Sequence, residues 1–530
     1  MELRGTGVNA RRRLRLHRLR VPIEWEEEPF QWVRPRRFGV VRHFRGGPLA
    51  ELRVEVELTP RANGGTTLDY HVRVRPRNLV GLAAAPVQIG LLSRRRFART
   101  FGEYDRLARE HRPPEAEHPA RLAPGGRERL ERGSAALCER GLDERLVKRL
   151  AWLLERGDEL ELHRLRPYEL ADAWSARRRD VLELLLHATR AGLTELRWDL
   201  MCPSCRGTAA TAGSLGELEP AVHCEMCGID VNADLDRSVE VTFAPSAAVR
   251  AVQRQDYCVG GPQLSPHVVA QQLLAPGEQR ELAVTLEPGS YRVRALGDTG
   301  GNAFSVGAVQ DSRELTMRND SGEERLLLLE RTEWSELAAT AAEVTALQAF
   351  RDLFSSEALR PGEPLSVGTL TVLFTDLRDS TRFYLEVGDA PAFGSVMEHL
   401  DVLRESVASE GGAVVKAMGD AIMAVFTRPV GAKRAALAAQ QAVAGRPLDL
   451  KVGIHTGPCI AITQNGVLDY FGSTVNLAAR LVALSSGEDV VVSGEVLADP
   501  EVATLELARE PVAAELKGFE DSFELWRVRA

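Results

Sequence analysis

Two aspartates at the ends of short apolar runs are the first residues in this chain whose placement could do chemistry. In LTVLFTDLRDST, Asp376 stands at the exit of the apolar run 370–374. In GGAVVKAMGDAIMAVF, residues 411–426, Val414, Val415, Ile422, Met423 and Val425 make two short strands around the turn residues Met418-Gly419-Asp420. Two carboxylates on neighbouring strand ends can share divalent cations, which prefer hard oxygen ligands. Taken singly, each is an ordinary aspartate capping a loop. The company they keep shifts that balance. Lys416 lies four residues before Asp420, and Asp469-Tyr470-Phe471-Gly472 precedes STVNLAARL, where Asn476 and Arg480 fall four apart on one helix face with Ser473 or Thr474 as N-cap. Near the end, Lys517-Gly518-Phe519 occupies a turn before the last strand, SFELWRV.

A second cluster lies upstream. Cys202, Cys205, Cys224 and Cys227 are spaced CxxC, eighteen residues, CxxC. Each knuckle sets two thiolates on one side of a tight turn, and two knuckles close a tetrahedron with no position left for water. This predicts one structural Zn²⁺ in a ribbon, with redox dithiols as the alternative. Glu217, Glu219 and Glu225 make the ribbon acidic, against nucleic-acid binding.

The elements that must position these residues belong to a chain of 530 residues, enough for several cores. It is 44% hydrophobic and 27% charged, with no apolar run near the 18 residues that span a bilayer. A net charge of −8 argues against bulk nucleic-acid binding. Seven cysteines, an odd number, four of them in CxxC pairs, suit a reducing cytoplasmic setting and a metal site. The Arg-rich start alternates polar and apolar residues with no apolar core after it, so it reads as a solvated strand face.

In chain order, residues 1–110 alternate as strands and then turn helical over 87–107, with Ile89, Leu92, Phe97 and Phe101 at helical spacing. A curved antiparallel sheet around one long helix resembles the helix-grip fold of the START and polyketide-cyclase-like superfamily, which implies a small apolar ligand in the grip; a plain structural domain is the equal reading. Residues 111–200 read as a Pro- and Glu-rich linker followed by charged helices over 127–140, 144–156 and 167–191, a contact or spacer module. The ribbon occupies 201–235, and short strands over 236–333 suggest a small β-sandwich. Residues 334–354 carry Leu337, Ala341, Val344, Leu347 and Phe350 or Arg351 on one stripe, a connecting helix that leads through Pro361-Gly362-Glu363-Pro364 into the strand that opens at 365. It is either a relay or a packed connector.

From 365 to 530 the chain resembles the class III nucleotidyl cyclases. Asp376, Lys416, Asp420, Asp469, Asn476, Arg480 and Lys517 each fall where that family carries a functional residue, and VGIHTGPCIAI resembles its hairpin segment. The fold expected is multidomain α+β: an N-terminal helix-grip sheet, a helical segment, a zinc ribbon, a β-sandwich, a connecting helix and linker over 334–364, and a C-terminal ferredoxin-like cyclase domain. The resemblance implies a soluble homodimer with shared active sites. In it the ribose 3′-hydroxyl attacks the α-phosphate and pyrophosphate leaves, assisted by two Mg²⁺ or Mn²⁺ ions. Asp376 and Asp420 would hold both ions, with the Leu377 carbonyl as an extra ligand. Arg480 would meet the developing charge, Asn476 would orient the ribose, and Lys517 would bind the terminal phosphates. Lys416 only donates and ionised Asp469 only accepts, which matches adenine N1 and its amine, so ATP is the expected substrate. The rivals are a guanylate cyclase, a signalling scaffold whose cyclase domain is non-catalytic, and a ligand- or nucleic-acid-binding regulator.

Overall fold

The computed structural model describes residues 2–4, 11–18, 21–62, 64–110, 122–203, 206–224, 229–252, 265, 267–298, 300–307, 311–332, 337–446, 448–505, 508–514, 516 and 523–529. Leu365–Leu377 is the central strand of an eight-stranded sheet and is nearly continuous in apolar residues because both its faces are covered. Leu370, Val372 and Phe374 enter one buried cluster, Leu373 and Leu377 the other. On one edge it pairs antiparallel with Ala421–Phe426, and on the other with the long strand Leu450–Gln464. The sheet continues outward through Ala413–Met418 on the first side, and through Val490–Ser493, Leu525–Arg529 and Ala508–Val512 on the second. Val467–Phe471 pairs with the far half of the long strand. The helices Asp389–Ser409 and Pro429–Val443 supply the apolar residues that cover one face.

Ser473–Leu481 lies close against the long strand. A Cβ on Gly453 would stand 2.4 Å from the Val482 nitrogen, so only glycine permits this approach. The hairpin turns where expected, with Gly419 at φ +71° between its two strands.

The other face of this sheet shares a continuous core with the middle of the chain. Two of the expected helices are present as Gly126–Glu139 and Glu144–Arg156, followed by the short Glu159–His163; the one expected over 167–191 is instead two helices, Pro167–Trp174 and Arg178–Arg190, broken at Ser175, which sits at φ +52°. They pack on a three-stranded sheet of Thr208–Ala212, Thr194–Met201 and Val239–Pro245, so strand structure starts before the ribbon and crosses the expected boundary at 236. This unit is tied to the eight-stranded sheet and its helices. The Leu235 nitrogen donates to the Ser366 carbonyl at 2.8 Å, and Arg179 Nη2 donates to the Ala408 carbonyl at 2.7 Å.

Three further expectations are corrected. Residues 1–110 and 236–333 do not build separate sheets: Gln31–Val33 pairs with Val268–Leu274, and an 11-stranded sheet runs through both. Side-chain amides of Gln271 and Gln272, donating to the Phe30 and Trp32 carbonyls, lock that seam. Next, the connecting helix is two short ones, Ala341–Thr345 and Gln348–Leu353, separated where Leu347 takes an extended backbone, with Phe350 of the second edge-on to Trp198 at 5.8 Å; residues 333–336 lie outside the described residues. Finally, the long helix starts earlier, at Leu79, and its apolar first half faces outward instead of into a grip. Among the described residues no helix is long and apolar enough to cross a membrane.

Candidate active site

Register brings the two carboxylates together. Phe374 pairs with Met423, and the Ile422 nitrogen donates to Thr375 Oγ1 at 3.2 Å, which seats Asp376 beside the turn that carries Asp420. Tyr384, on the helix Ser380–Val387, has its phenol pKa raised by burial and then by Asp420 and Asp376, so both carboxylates act on one hydroxyl. Asp420 Oδ2 is buried with no hydrogen-bond partner among the described residues. A buried anionic oxygen left unsatisfied is costly, and a hard divalent cation would satisfy it. A pair of carboxylates is a hard-oxygen donor set of the kind that Mg²⁺ or Mn²⁺ takes.

Lys416 and Asp469 also meet. Nζ donates to Oδ2 at 2.6 Å, and Asp469, 4% exposed, accepts from the Tyr470 nitrogen through Oδ1 at 2.8 Å. The carboxylate is therefore fixed, and the half-buried ammonium comes to it after a bulge between Val414 and Lys416.

This pair is braced from behind by the connector. Gln348 Oε1 accepts from the Val414 nitrogen at 2.8 Å. Arg351 donates from Nη1 to the Leu468 carbonyl at 3.0 Å and from Nε to the Thr345 carbonyl at 3.1 Å, with its guanidinium 5.1 Å from the Tyr470 ring centre. Tyr470 in turn donates its hydroxyl to Thr345 Oγ1 at 3.0 Å. Each of the two strands that carry the pair is thus held by one polar side chain of Gln348–Leu353.

Asn476 and Arg480 share the exposed face of Ser473–Leu481, as their spacing predicts. Among the described residues no hydrogen bond or ion pair joins either to Asp376 or Asp420. The expected Ser473 or Thr474 cap is corrected: the N-cap is Gly472 at φ +143°, and Thr474 Oγ1 donates instead to the Pro458 carbonyl at 2.7 Å. Lys517 lies outside the described residues, as do Cys205 and Cys227. Cys202 and Cys224 are both buried in the same core. Around the first, the Arg206 nitrogen donates back to the Cys202 carbonyl at 2.8 Å, and Arg206 sits at φ +55°. Among the described residues no group of three or more His, Cys, Asp or Glu could hold a metal.

Sequence reasoning missed Tyr384, His399, Gln348 and the role of Arg351. His399 is buried, and its pKa is pushed down to about 4 by burial and by Arg446, against the pull of Asp420. No spacing signal marks Tyr384 or His399, whose link to the carboxylates is tertiary. Arg351 did leave a trace, as a charged residue on the apolar stripe of the connector.

Residues 363–522 match the adenylate and guanylate cyclase catalytic domain, and residues 134–262 match a family of unknown function, DUF5939. An adenylate cyclase of Podospora anserina is 27% identical over 189 residues, which are 30% of this chain and 9% of that protein. An uncharacterized protein of Mycobacterium tuberculosis is 32% identical over 161 residues, 30% of this chain and 41% of that one. The chain thus spans less than half the length of these two relatives. Among solved structures, the adenylyl cyclase CyaB from P. aeruginosa aligns with a TM-score of 0.29 at 23% identity, covering 32% of this chain and 96% of that one. The C-terminal part of the chain is an adenylate/guanylate cyclase catalytic domain.

Proposed function

We propose that this chain is an adenylate cyclase that converts ATP to 3′,5′-cyclic AMP and pyrophosphate in the cytoplasm, at sites shared between two copies and regulated by residues 1–364. The observation that carries the reading is the placement, within one sheet, of the Asp376–Asp420 carboxylates and the Lys416–Asp469 pair. Divalent cations held by Asp376, Asp420 and the Leu377 carbonyl would lower the pKa of the 3′-hydroxyl and offset triphosphate charge.

The rest falls to this chain's own groups. Asp469 is anchored by the Tyr470 nitrogen, so the order of acceptor and donor along the pair is fixed. Adenine meets that order with its amine on Asp469 and N1 on Lys416; guanine, with donor and acceptor reversed, leaves like groups facing each other and buried polar atoms unpaired. Arg480 would present its planar fork to charge developing on the α-phosphate oxygens, Asn476 would hold the ribose, and Lys517 the terminal phosphates. The exposure of Asn476 and Arg480, which among the described residues make no hydrogen bond or ion pair to Asp376 or Asp420, supports a two-fold dimer in which each copy completes the other's site. Cys202, Cys205, Cys224 and Cys227 would hold one structural Zn²⁺, to be checked as one zinc per chain in a reduced preparation.

Product analysis with ATP and GTP in parallel, under Mg²⁺ and under Mn²⁺, tests the proposal. Cyclic AMP as the dominant product is expected. Dominant cyclic GMP would overturn the base assignment, and no cyclic product from either nucleotide would overturn catalysis itself.

A further inference from the structure

Residues 78–93, between Arg77 and Arg94, carry no charge at all. They form the first half of a continuous helical rod made of Leu79–Ala85, the π-helical turns Pro86–Ser93 and Arg94–Arg109. A helix apolar on every side belongs in a core or in lipid. This one is in neither: Leu79 is 83% exposed, Val80 67%, Leu82 60%, and Val87, Leu91 and Leu92 are exposed as well.

Nor is it a frayed end. At its start Asn78 Oδ1 accepts from the Gly81 nitrogen at 2.9 Å, and Gly81 sits so close over Pro48 that a Cβ would fall 2.0 Å from the Pro48 carbonyl oxygen. Further along, Phe97 and Phe101 pack on Tyr70 with ring centres at 4.9 and 6.0 Å. The apolar stretch is held at both ends and presented between them.

What it is presented to follows from the flanks. Arg94, Arg95, Arg96 and Arg99 are exposed where the apolar half ends. At the other end stand Arg73, Arg75 and Arg77. Arg73 and Arg75 approach Glu55 and Glu51 at 3.6 and 3.4 Å, while Arg77 donates to backbone carbonyls, which do not neutralise it. A second copy of this helix would set like charge against like charge in either orientation. An anionic surface would neutralise both ends. The apolar stretch, at ~1.5 Å rise per residue, is roughly 22 Å long, too short for the ~30 Å bilayer core. It can lie in the interface but cannot span.

We infer that residues 79–99 dock the chain on an anionic lipid bilayer, the apolar helix sinking below the headgroups and Arg94, Arg95 and Arg96 pairing with lipid phosphates. This stands independently of the catalytic reading.

The test is co-sedimentation of the full chain with vesicles of phosphatidylcholine alone and of phosphatidylcholine with phosphatidylglycerol. Binding to the anionic vesicles, lost on raising salt and weak on the neutral ones, is expected. Replacing the three arginines, R94Q with R95Q and R96Q, should weaken partitioning by about 100-fold. L82N with L91N and L92N should abolish it while circular dichroism and thermal melts report an unchanged fold. A folded chain that leaves anionic vesicles in the supernatant overturns the proposal. So does equal binding to both vesicle types, or binding that survives both sets of substitutions. A parent chain that ignores vesicles but loses an oligomeric state in the leucine variant would assign the surface to a second copy instead. Should the leucine variant fail to fold, the arginine variant, which alters only exposed side chains, decides the matter.

Discussion

The two ends of the candidate active site are built on opposite terms. At the carboxylate end, Asp376 and Asp420 are placed by strands of the catalytic domain alone, and Asp420 Oδ2 is buried without a partner. At the base end, Lys416 and Asp469 already satisfy each other, and the strands that carry them are held by Gln348 and Arg351 from outside the catalytic sheet. An unsatisfied anion waits for a guest ion and costs stability until it arrives. A satisfied pair fixes geometry, and its external brace ties base recognition to the position of the connector. On the proposed reading, a change at the connector would act on nucleotide binding before the metal-dependent step.

The largest expected effect breaks the carboxylate end. Asp420→Asn should lower turnover by about 1,000-fold, since it removes a charged ligand from a two-ion site. Folding stability should not fall, because the lost oxygen has no partner to leave behind. Asp376→Ala and Arg480→Ala should each be nearly inactive too. Mixed and allowed to exchange, half the dimers become hybrids, each with one intact site of two, so roughly a quarter of parental activity returns by two-fold counting. If hybrids demonstrably form and nothing returns, the site lies within one chain.

Breaking the base end requires changing both partners, because Lys416 alone cannot be removed without leaving Asp469 buried and unpaired. Lys416→Glu combined with Asp469→Cys should cut ATP turnover about 100-fold more than GTP turnover, measured as the ratio of kcat/KM values. A parental chain that already prefers GTP would refute the polarity argument.

A subtler variant separates recognition from its brace. Arg351→Ala and Gln348→Ala should each raise KM for ATP by about 10-fold and narrow the ATP/GTP ratio, with kcat changed little, as expected for loosened positioning. Arg351→Lys should restore only part, since an ammonium cannot supply two donors and a stacked plane at once. A loss of thermal stability with the nucleotide ratio intact would reduce both residues to packing.

The same contrast governs how much was legible in the sequence. Asp376 and Asp420 were readable because strand ends and a glycine turn are local signals, and register then did the rest. Lys416 and Asp469 were readable as types, but their 2.6 Å contact joins strands 53 residues apart and has no local signature. The hairpin, the helices at 126–139 and 144–156 and the Asn476–Arg480 face came out as expected, whereas the helix expected over 167–191 is broken at Ser175. The N-terminal half did not: alternation identified strands there, yet nothing in periodicity says that Gln31–Val33 will pair with Val268–Leu274. Strand partners across such distances are chosen by tertiary packing, here by amides donating across the seam. The long helix was visible only from residue 87, while its start at Leu79 and the exposure of its apolar half depended on two anchors that only the fold supplies.

The smallest expected effect serves as the control for the comparison, because it lies in the catalytic domain but in neither end of the site. Lys433, on the helix Pro429–Val443, is fully buried, and its Nζ has no hydrogen-bond partner among the described residues. Burial, and then the charge of Arg509, pushes its pKa down to about 8. An unfolded lysine titrates near 10.4. Between those values the unfolded chain holds more protons than the folded one, so stability should rise with pH across that window. Below about pH 8 the ammonium is charged in both states, and the cost of burying it is complete. Lys433→Met keeps the volume and removes the charge, so it should stabilise the fold by about 2 kcal/mol at pH 7, with a gain that shrinks toward pH 10. Neither KM for ATP nor the ATP/GTP ratio should move. Denaturant melts at the two pH values check the first statement, and a gain equal at both would mean that packing, not the buried charge, sets it. If the nucleotide ratio moves as far as in the Arg351 variants, base recognition answers to the stability of the domain as a whole, and the brace loses its special standing.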